Sequence, residues 1–516
     1  MKLVTAEQMR FLDRQAVRAG VATASLMESA GLGVAQHVRK LLGSVKGRRI
    51  LILAGPGNNG GDGLVAARHL YDWDAETRVY LLAKRRSDDG NYQELVKREL
   101  DMADAEDDPG FAALDRFLSD AELVIDALLG TGRARPIEAN LAEIIARVRR
   151  VRQRRQPPRL VAVDVPTGVD SDSGAVDPHC VPADLTVTFA FSKIGLHTFP
   201  GSQYAGRVEV VDIGIPDAVD SGAKVELITA DWVSTMLPQR PLDSNKGTYG
   251  RVLVVGGSEN YVGAVHLAAA ATLRAGAGLC AVACPRSIQG VIAAGLPEVT
   301  YLPLPEKEGG ILERAVTDVL GQLGNFDVLL VGCGLGRRSS TEAFLRSLLF
   351  GLKEDSKLTV VVDADGLNAL GGAPGWPSRV NVPLVLTPHP GEMRRLTGRG
   401  IPEIQSDRLG SAQRCAQEWN QTVVLKGAHT VVAAPDGRAA LSPFANPALA
   451  TAGTGDVLAG VIAGLLAQGL DRYAAAACGV YLHGAAGERV REAIGDTGAL
   501  AGDLLPELPQ VIKALR

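Results

Sequence analysis

The sequence predicts an α/β protein of two domains, each a parallel sheet covered by helices. Three observations carry that prediction. The chain has 516 residues, too long for one ordinary domain at roughly 100–200 residues each. Hydrophobic residues make up 46% and charged residues 22%, a globular balance that excludes disorder as the main state. Strand-like apolar runs alternate with glycine turns and helical stretches, the pattern of a parallel sheet with helices on both faces. Aromatics at 4% and 59 glycines argue against an all-β sandwich.

The elements follow in order. Thr5 and Gln8 resemble a capping box, and helical spacing continues to about residue 40, which predicts two helices. RRILILAG is a buried strand, GPGNNGGDG a loop and LVAARHLYDW the start of a helix. TRVYLLA, ELVIDALLG, LVAVDVP, DLTVTFAF and GRVEVVDIG are further strands. The acidic stretch DMADAEDD at 101–108 is expected to be a solvated loop. Arg147, Arg149, Arg150, Arg152, Arg154 and Arg155 crowd a helix end, where cations face the negative C-terminus, so they are expected to be solvated. Near 216–224 the pattern loosens, which places the boundary between domains 1–220 and 221–516. A second series follows: RVLVVGGS, the helix around VHLAAAATLRAGAG, GLCAVACP, FDVLLVGCGLG, TVVVDADG, VPLVLTPHP and TVVLKGAHTVVAA. Ala-rich helices close the chain, and the two domains share no obvious repeat.

Lys and Arg number 54, Asp and Glu 58, and the formal net charge is −4. Such a chain has no bulk electrostatic reason to sit on nucleic acid or an anionic membrane. The six cysteines, Cys180, Cys280, Cys284, Cys333, Cys415 and Cys478, form no CxxC pair, so a reduced, cytoplasmic protein is expected. The opening MKLVTAEQMR lacks an apolar signal core, and the apolar runs fall short of the ~20 residues that cross a bilayer. Small-molecule partners and a homo-oligomer are expected.

Gly55, Gly57 and Gly60 fit GxGxxG between a strand and a helix, where backbone amides can approach a pyrophosphate. A tight strand-to-helix turn gives the same pattern. Asn58 and Asn59 offer carbonyl oxygens and amides. Asp62 would repel a bare phosphate, which suits a helix cap or a partner for a ligand hydroxyl. Asp126 ends a strand before the glycine-rich segment 130–136, and Asp164 ends another before Pro166 and Thr167. Ligands of open α/β sheets bind outside such strand ends. Asn59, Asp126 and Thr167 would offer only oxygens and one negative charge, which suits a hard monovalent cation.

GPGNNGGDG, DALLGTG and DVPTGVD, with TAEQMRFLD and LMESAG, resemble the NAD(P)H-hydrate epimerase domain over roughly residues 1–215. The resemblance implies a Rossmann-like three-layer αβα domain and a K+ ion held by Asn59, Asp126 and Thr167. It implies hydrate binding by Asn58, Asn59, Gly60, Gly61 and Asp62, by Gly130, Thr131, Gly132, Arg133, Ala134, Arg135 and Pro136, and by Asp164. Thr167 stands where serine is usual and keeps the hydroxyl. The family's lysine falls at Lys193 in SKIGLHTFPG, with KIG in place of KPG. Asp164 and Lys193 are the expected acid/base pair that opens and recloses the hydrated ring.

In the second domain no GxxxxGK[ST] exists, which excludes a Walker-type loop. Gly453, Thr454 and Gly455 lead into a long apolar helix, where their amides would form an anion hole. Asp456 falls in its first turn and could take a proton from an attacking hydroxyl; a capped core helix would read the same way. NKGTYGRVLVVGGS, LVGCGLGR, VVDADGLNAL, TPHPGEMRRL, VLKGAHTVV and the GTGD segment resemble the ribokinase-like fold, and more narrowly the NAD(P)H-hydrate dehydratase domain. The resemblance implies hydrate contacts from Ala264, Gly334, His389 and Asp456. It implies nucleotide contacts from Lys426, Gly427, Ala428, His429 and Thr430, and from Asn446, Thr451, Ala452, Gly453, Thr454 and Gly455. Lys426, after a strand, could face phosphate as a point charge. The implied reaction dehydrates the (S)-hydrate of NADH or NADPH with a nucleotide and Mg2+, and the fusion of the two domains favours ADP as that nucleotide. Two positions depart from the family: Cys333 replaces a proline, and Ala448 replaces a frequent glycine, which would be costly if its φ were positive.

Two rival readings stand beside this one. A ribokinase-like small-molecule kinase fused to a nucleotide-binding module shares GTGD. A first domain that only binds ligand or scaffolds shares the glycine loop.

Overall fold

The computed structural model describes residues 1–516 other than 133–135, 217, 220 and 354–356. Its contacts divide the chain into one unit of Lys2–Val225 and a second of Met1 with Glu226–Arg516.

The first unit contains β1 (Lys2–Val4), β2 (Arg49–Ala54), β3 (Glu76–Leu81), β4 (Asp101–Asp104), β5 (Leu123–Ala127), β6 (Arg159–Val163), β7 (Leu185–Phe189), β8 (Ser192–Lys193) and β9 (Arg207–Val211). Seven of them make one sheet in the order β4-β3-β2-β5-β6-β7-β9, and every pairing in it is parallel. β1 pairs in parallel with β8. Alternate residues of β2 enter opposite cores: Ile50, Ile52 and Ala54 pack with Ala30, Val34, Leu64 and Leu70, while Leu51 and Leu53 pack with Leu114, Phe117 and Ile144. That two-residue period is why an unbroken apolar run forms a strand buried on both faces. The chain moves outward from β2 in one direction and from β5 in the other. The β2/β5 junction is therefore the switch point at which such sheets open a crevice.

Helices start where the sequence marks them. Thr5 Oγ1 accepts from the Gln8 amide at 3.2 Å and Gln8 Oε1 from the Thr5 amide at 2.9 Å, closing the expected capping box of Ala6–Arg18. The acidic stretch at 101–108 is not wholly a loop, because Asp101–Asp104 forms β4, registered on Arg78–Leu81. An edge strand with a solvated face accommodates aspartates. The arginine run is only partly solvated: Arg150, Arg154 and Arg155 are exposed, whereas Arg147, paired with Glu143 at 2.6 Å, and Arg152, paired with Asp184 at 2.9 Å, are largely covered.

The second unit's strands are β10 (Val225–Leu227), β11 (Arg251–Val255), β12 (Leu279–Pro285), β13 (Thr300–Leu304), β14 (Glu306–Lys307), β15 (Gly310–Ile311), β16 (Val328–Val331), β17 (Thr359–Val362), β18 (Leu384–Leu386), β19 (Thr422–Leu425), β20 (Val431–Ala433) and β21 (Ala439–Leu441). The main sheet runs β13-β12-β11-β16-β17-β18-β19-β20-β21-β10. It is parallel from β13 to β19 and antiparallel over β19-β20-β21. The apolar helix Thr454–Ala467 is buried along nearly its whole length, as a helix hydrophobic on all sides must be. Among the described residues no helix is long and apolar enough to cross a membrane.

Candidate active sites

In the first unit, loops after β2, β5 and β6 border a cavity of about 1300 Å³ lined by Asn58, Asn59, Asp62, Gly130, Thr131, Gly132, Pro136, Asp164 and Lys193. Gly60 and Gly61 are buried in the helix Asn58–Asp72 behind this lining. Arg133, Ala134 and Arg135 lie outside the described residues.

Asp164 directly follows β6 and holds a left-handed φ of 65°, a conformation that a non-glycine residue adopts at a cost when its surroundings impose it. Its carboxylate pairs with Lys193. That ammonium is 1% exposed and donates to Asp164 Oδ1 at 2.5 Å, Thr188 Oγ1 at 2.8 Å and the Phe189 carbonyl at 3.2 Å. Thr188 Oγ1 lies 3.0 Å from the same Asp164 oxygen. Asp62 faces this pair, and burial, then the charges of Asp164 and Asp13, hold its carboxyl well above the usual carboxylate range. The cavity thus joins a buried ion pair to a carboxyl whose charged form is disfavoured by burial.

Beneath the lining, Asp126 Oδ2 accepts from the Thr167 amide at 2.8 Å. Its Oδ1 accepts from the Thr167 hydroxyl at 2.6 Å and the Leu128 amide at 3.2 Å. The Leu129 amide donates to Thr167 Oγ1, and Asn59 Nδ2 donates to the Leu129 carbonyl at 2.9 Å. Asn59, Asp126 and Thr167 are therefore gathered about one loop. Burial raises the Asp126 carboxyl above its ordinary range, against these hydrogen bonds.

In the second unit the chemistry collects at the carboxyl ends of β16 to β19. Gly334 follows β16 at φ 65°, and a Cβ there would lie 2.7 Å from that of Ala264, so this position needs glycine. Cys333 Sγ, a carboxylate oxygen of Asp363 and one of Asp456 lie within 4.8 Å of one another. Asp363 Oδ1 also accepts from Lys426 Nζ at 2.5 Å and Thr387 Oγ1 at 2.7 Å. Glu392 Oε2 lies 3.8 Å from the same ammonium. Lys426, expected as a point charge for phosphate, is therefore already paired, although it stays close to the glycine turn: a Cβ at Gly455 would lie 3.5 Å from its Nζ.

Gly453, at φ 92°, caps the helix Thr454–Ala467 and places Asp456 in its first turn. Thr454 Oγ1 donates to the Leu449 and Thr451 carbonyls, and His483 Nε2 holds the Thr454 carbonyl at 2.9 Å. Burial and then the Asp363 charge push Asp456 up to about 7, against the Cys333 hydrogen bond and Lys426. Glu392 is also pushed up to about 7, by burial first. Burial works against the charge on Lys426, but Asp363 and Glu392 outweigh it and its shift is upward. His389 caps Pro390–Thr397, its Nδ1 accepting from the Gly391 amide at 2.9 Å. Burial and Lys426 hold it below the usual imidazole value. Its Nε2 lies 3.3 Å from Glu392 Oε1.

The nucleotide segments are ordered by their own hydrogen bonds. Thr430 Oγ1 donates to the Gly427 carbonyl at 2.8 Å, and His429 Nδ1 lies 3.0 Å from the Ser442 carbonyl. Asn446 Oδ1 caps Ala448, while its buried Nδ2 has no acceptor and remains a donor for a ligand. Ala448 lies in the short helix Pro447–Leu449 and its φ is not positive, so alanine carries no backbone strain there.

The family model described as NAD(P)H-hydrate dehydratase matches residues 252–510, and the one described as YjeF-related protein N-terminus matches 23–195. The bifunctional NAD(P)H-hydrate repair enzyme of Moorella thermoacetica is 43% identical, over 100% of this chain and 97% of its own. The chain belongs to the bifunctional NAD(P)H-hydrate repair enzymes. The repair enzyme of Thermofilum pendens is 38% identical, again over 100% and 97%. The ADP/ATP-dependent NAD(P)H-hydrate dehydratase of Bacillus subtilis, co-crystallised with ATP/Mg2+, is 34% identical with a TM-score of 0.50, covering 57% of this chain and 99% of that one. As a repair enzyme, the chain combines a YjeF-type N-terminal α/β unit with a ribokinase-like C-terminal one.

Sequence reasoning missed four side chains of these sites in the repair enzyme. Asp363 closes an apolar strand just as Asp126 and Asp164 do, a signal that could have found it. Glu392 is the far end of the His389 capping box. Asp13 closes TAEQMRFLD but was read there only as part of the resemblance, and Thr188 reaches the Asp164–Lys193 pair from a strand with no local motif.

Proposed function

We propose that this chain repairs hydrated NADH and NADPH in two steps. The first unit interconverts the (R)- and (S)-hydrates, and the second dehydrates the (S)-hydrate with conversion of ADP to AMP and phosphate. The observation that carries the reading is Asp456, a carboxyl pushed up to about 7 in the first turn of a buried helix, directly after the Gly453–Gly455 turn.

In the second unit, Asp456 takes the proton of the hydrate hydroxyl as that oxygen attacks the terminal phosphorus of ADP and the bond to AMP breaks. The Gly453–Gly455 amides stabilise the charge on the moving phosphoryl group. The C–O bond of the phosphate ester then breaks, phosphate leaves with the bonding electrons, and the adjacent ring carbon releases a proton to solvent, so that its C–H electrons form the ring double bond of NADH or NADPH. Mg2+, when bound with the nucleotide, would supply further neutralisation of the phosphate charge. The Asn446 amide and the 426–430 segment position the nucleotide.

In the first unit, one of Asp164 and Lys193 takes the hydroxyl proton while the other gives a proton to the ring nitrogen, the C–N bond of the hydrated carbon breaks to leave an open aldehyde, and the nitrogen re-adds to either face as both protons return. The residues beneath this pair fit a cation. Asp126 is a buried carboxylate whose hydrogen-bond partners, Thr167 and Leu128, are uncharged. K+ held by Asn59, Asp126 and Thr167 would neutralise that charge. The six free, buried cysteines support a reducing, cytoplasmic setting.

The test is recovery of dihydronicotinamide absorbance when the protein receives ADP, Mg2+ and mixed hydrates. No recovery with ADP or ATP overturns the proposal. Phosphorylation of a small alcohol without recovery favours the kinase reading instead.

A further inference from the structure

Among the described residues, five carboxyls and four cations line the cavity of the first unit. Its described lining carries Asp13, Asp62, Asp164, Asp170 and Asp177. Of the cations among those lining residues, Lys193 is already paired with Asp164. The other three are Arg10, Arg14 and Arg18.

These three stand at i, i+4 and i+8 of the helix Ala6–Arg18, while Leu12 and Ala16 are buried on the opposite face. They form one exposed stripe, with successive arginines rising roughly 6 Å along the axis. Arg10 Nη1 donates to the Thr131 carbonyl at 3.4 Å, so the stripe borders the same opening as the glycine-rich loop. Arg18, in the last turn, is explained by the helix dipole. Arg10 and Arg14 are not, because like charges four residues apart destabilise a helix.

A hydrated dinucleotide carries a pyrophosphate, and its NADP form carries a 2′-phosphate as well. We propose that Arg10, Arg14 and Arg18 form a phosphate-binding rim that grips these groups while the nicotinamide end reaches Asp164 and Lys193. The inference rests on the epimerase reading of this unit. Guanidinium groups suit it because each presents a planar fork of donors to phosphate oxygens and stays charged at every working pH.

The experiment measures epimerisation of the (R)-hydrates of NADH and NADPH by the full chain, and binding of ADP-ribose by calorimetry. Arg10, Arg14 and Arg18 are changed together to Ala and, separately, to Lys. In the Ala variant KM rises about tenfold or more while kcat stays within about twofold, the mark of a lost uniform binding interaction. ADP-ribose binding weakens in parallel, and the salt dependence of KM seen in the wild type flattens. The Lys variant recovers most of the KM, since charge is retained. Equal losses for both substrates assign the contact to the pyrophosphate, and a larger loss with NADPH hydrate assigns it to the 2′-phosphate; either supports the rim. An Ala variant with wild-type KM and wild-type ADP-ribose binding overturns the inference. A wild-type protein that does not epimerise at all overturns the functional reading instead, and the ADP-ribose titration still decides whether the rim binds phosphate.

Discussion

Lys426 donates to Asp363 at 2.5 Å, and this pair faces the carboxyl of Asp456 across the end of the sheet. Asp456 is pushed up to about 7 by burial and by the Asp363 charge. Below that value the carboxyl holds its proton and cannot accept another. Dehydration kcat/KM therefore climbs from about pH 6 to about pH 8 and then levels. Asp456→Asn removes the base and lowers the rate by about 100- to 10,000-fold. A flat profile over that range refutes the assignment of Asp456 as the base.

Asp363→Asn tests the source of that shift. Asp363 raises Asp456, so removing its charge lowers the midpoint. It also frees the Lys426 ammonium, which pulls Asp456 in the same direction. The rising limb of the profile moves to lower pH by about one unit. An unmoved or more alkaline limb shows that Asp363 does not act on Asp456.

How much of this was legible depended on whether an interaction is local. Gly453, Asp456 and the Thr5–Gln8 box declare themselves within four residues, because helix ends have fixed chemical needs. Asp126 and Asp164 were legible because an acid closing an apolar strand is unusual. The partners that set their behaviour come from distant strands: Thr188 and Lys193 lie 24 and 29 residues from Asp164, and Lys426 lies 63 from Asp363. Spacing cannot report such pairings. The pairing of Lys426 was hidden for that reason, and so was β4, whose aspartates become a strand only through β3.

The cysteines give a chemical test of packing. All six are free and buried. Burial pushes Cys280, Cys284 and Cys478 up to about 12 and holds Cys333 well above the usual thiol range. Thiolate is the reactive form, so native protein reacts with a thiol-disulfide reagent far more slowly than unfolded protein, which releases all six equivalents. Rapid modification of Cys333 in the native state, with loss of dehydration, contradicts the buried thiol beside Asp456.

Potassium removal tests the buried carboxylate. A cation that binds only the folded state stabilises it in proportion to the logarithm of its concentration. Replacing K+ by a bulky organic cation lowers the melting temperature of the first unit by a few degrees, at about 2–4 °C per kcal/mol for a domain of this size. Asp126→Asn makes melting insensitive to the exchange. Equal melting of the wild type in both salts argues against a cation at Asn59, Asp126 and Thr167.

Asp164 and Lys193 separate stability from catalysis. Lys193 is 1% exposed, and its other acceptors, Thr188 and the Phe189 carbonyl, are neutral. Asp164→Asn strands that ammonium in the interior and costs about 3–5 kcal/mol, the usual penalty for breaking a buried pair from one side. Lys193→Met leaves Asp164 with Thr188 alone and costs a similar amount. The double variant buries no unpaired charge and regains most of the melting temperature, because replacing both members of a buried pair is often nearly neutral. Epimerisation does not return with it: only the (S) fraction of mixed hydrates is repaired rapidly, and the (R) fraction follows at the spontaneous rate. A double variant that melts like the wild type and still repairs both epimers quickly removes this pair from the chemistry.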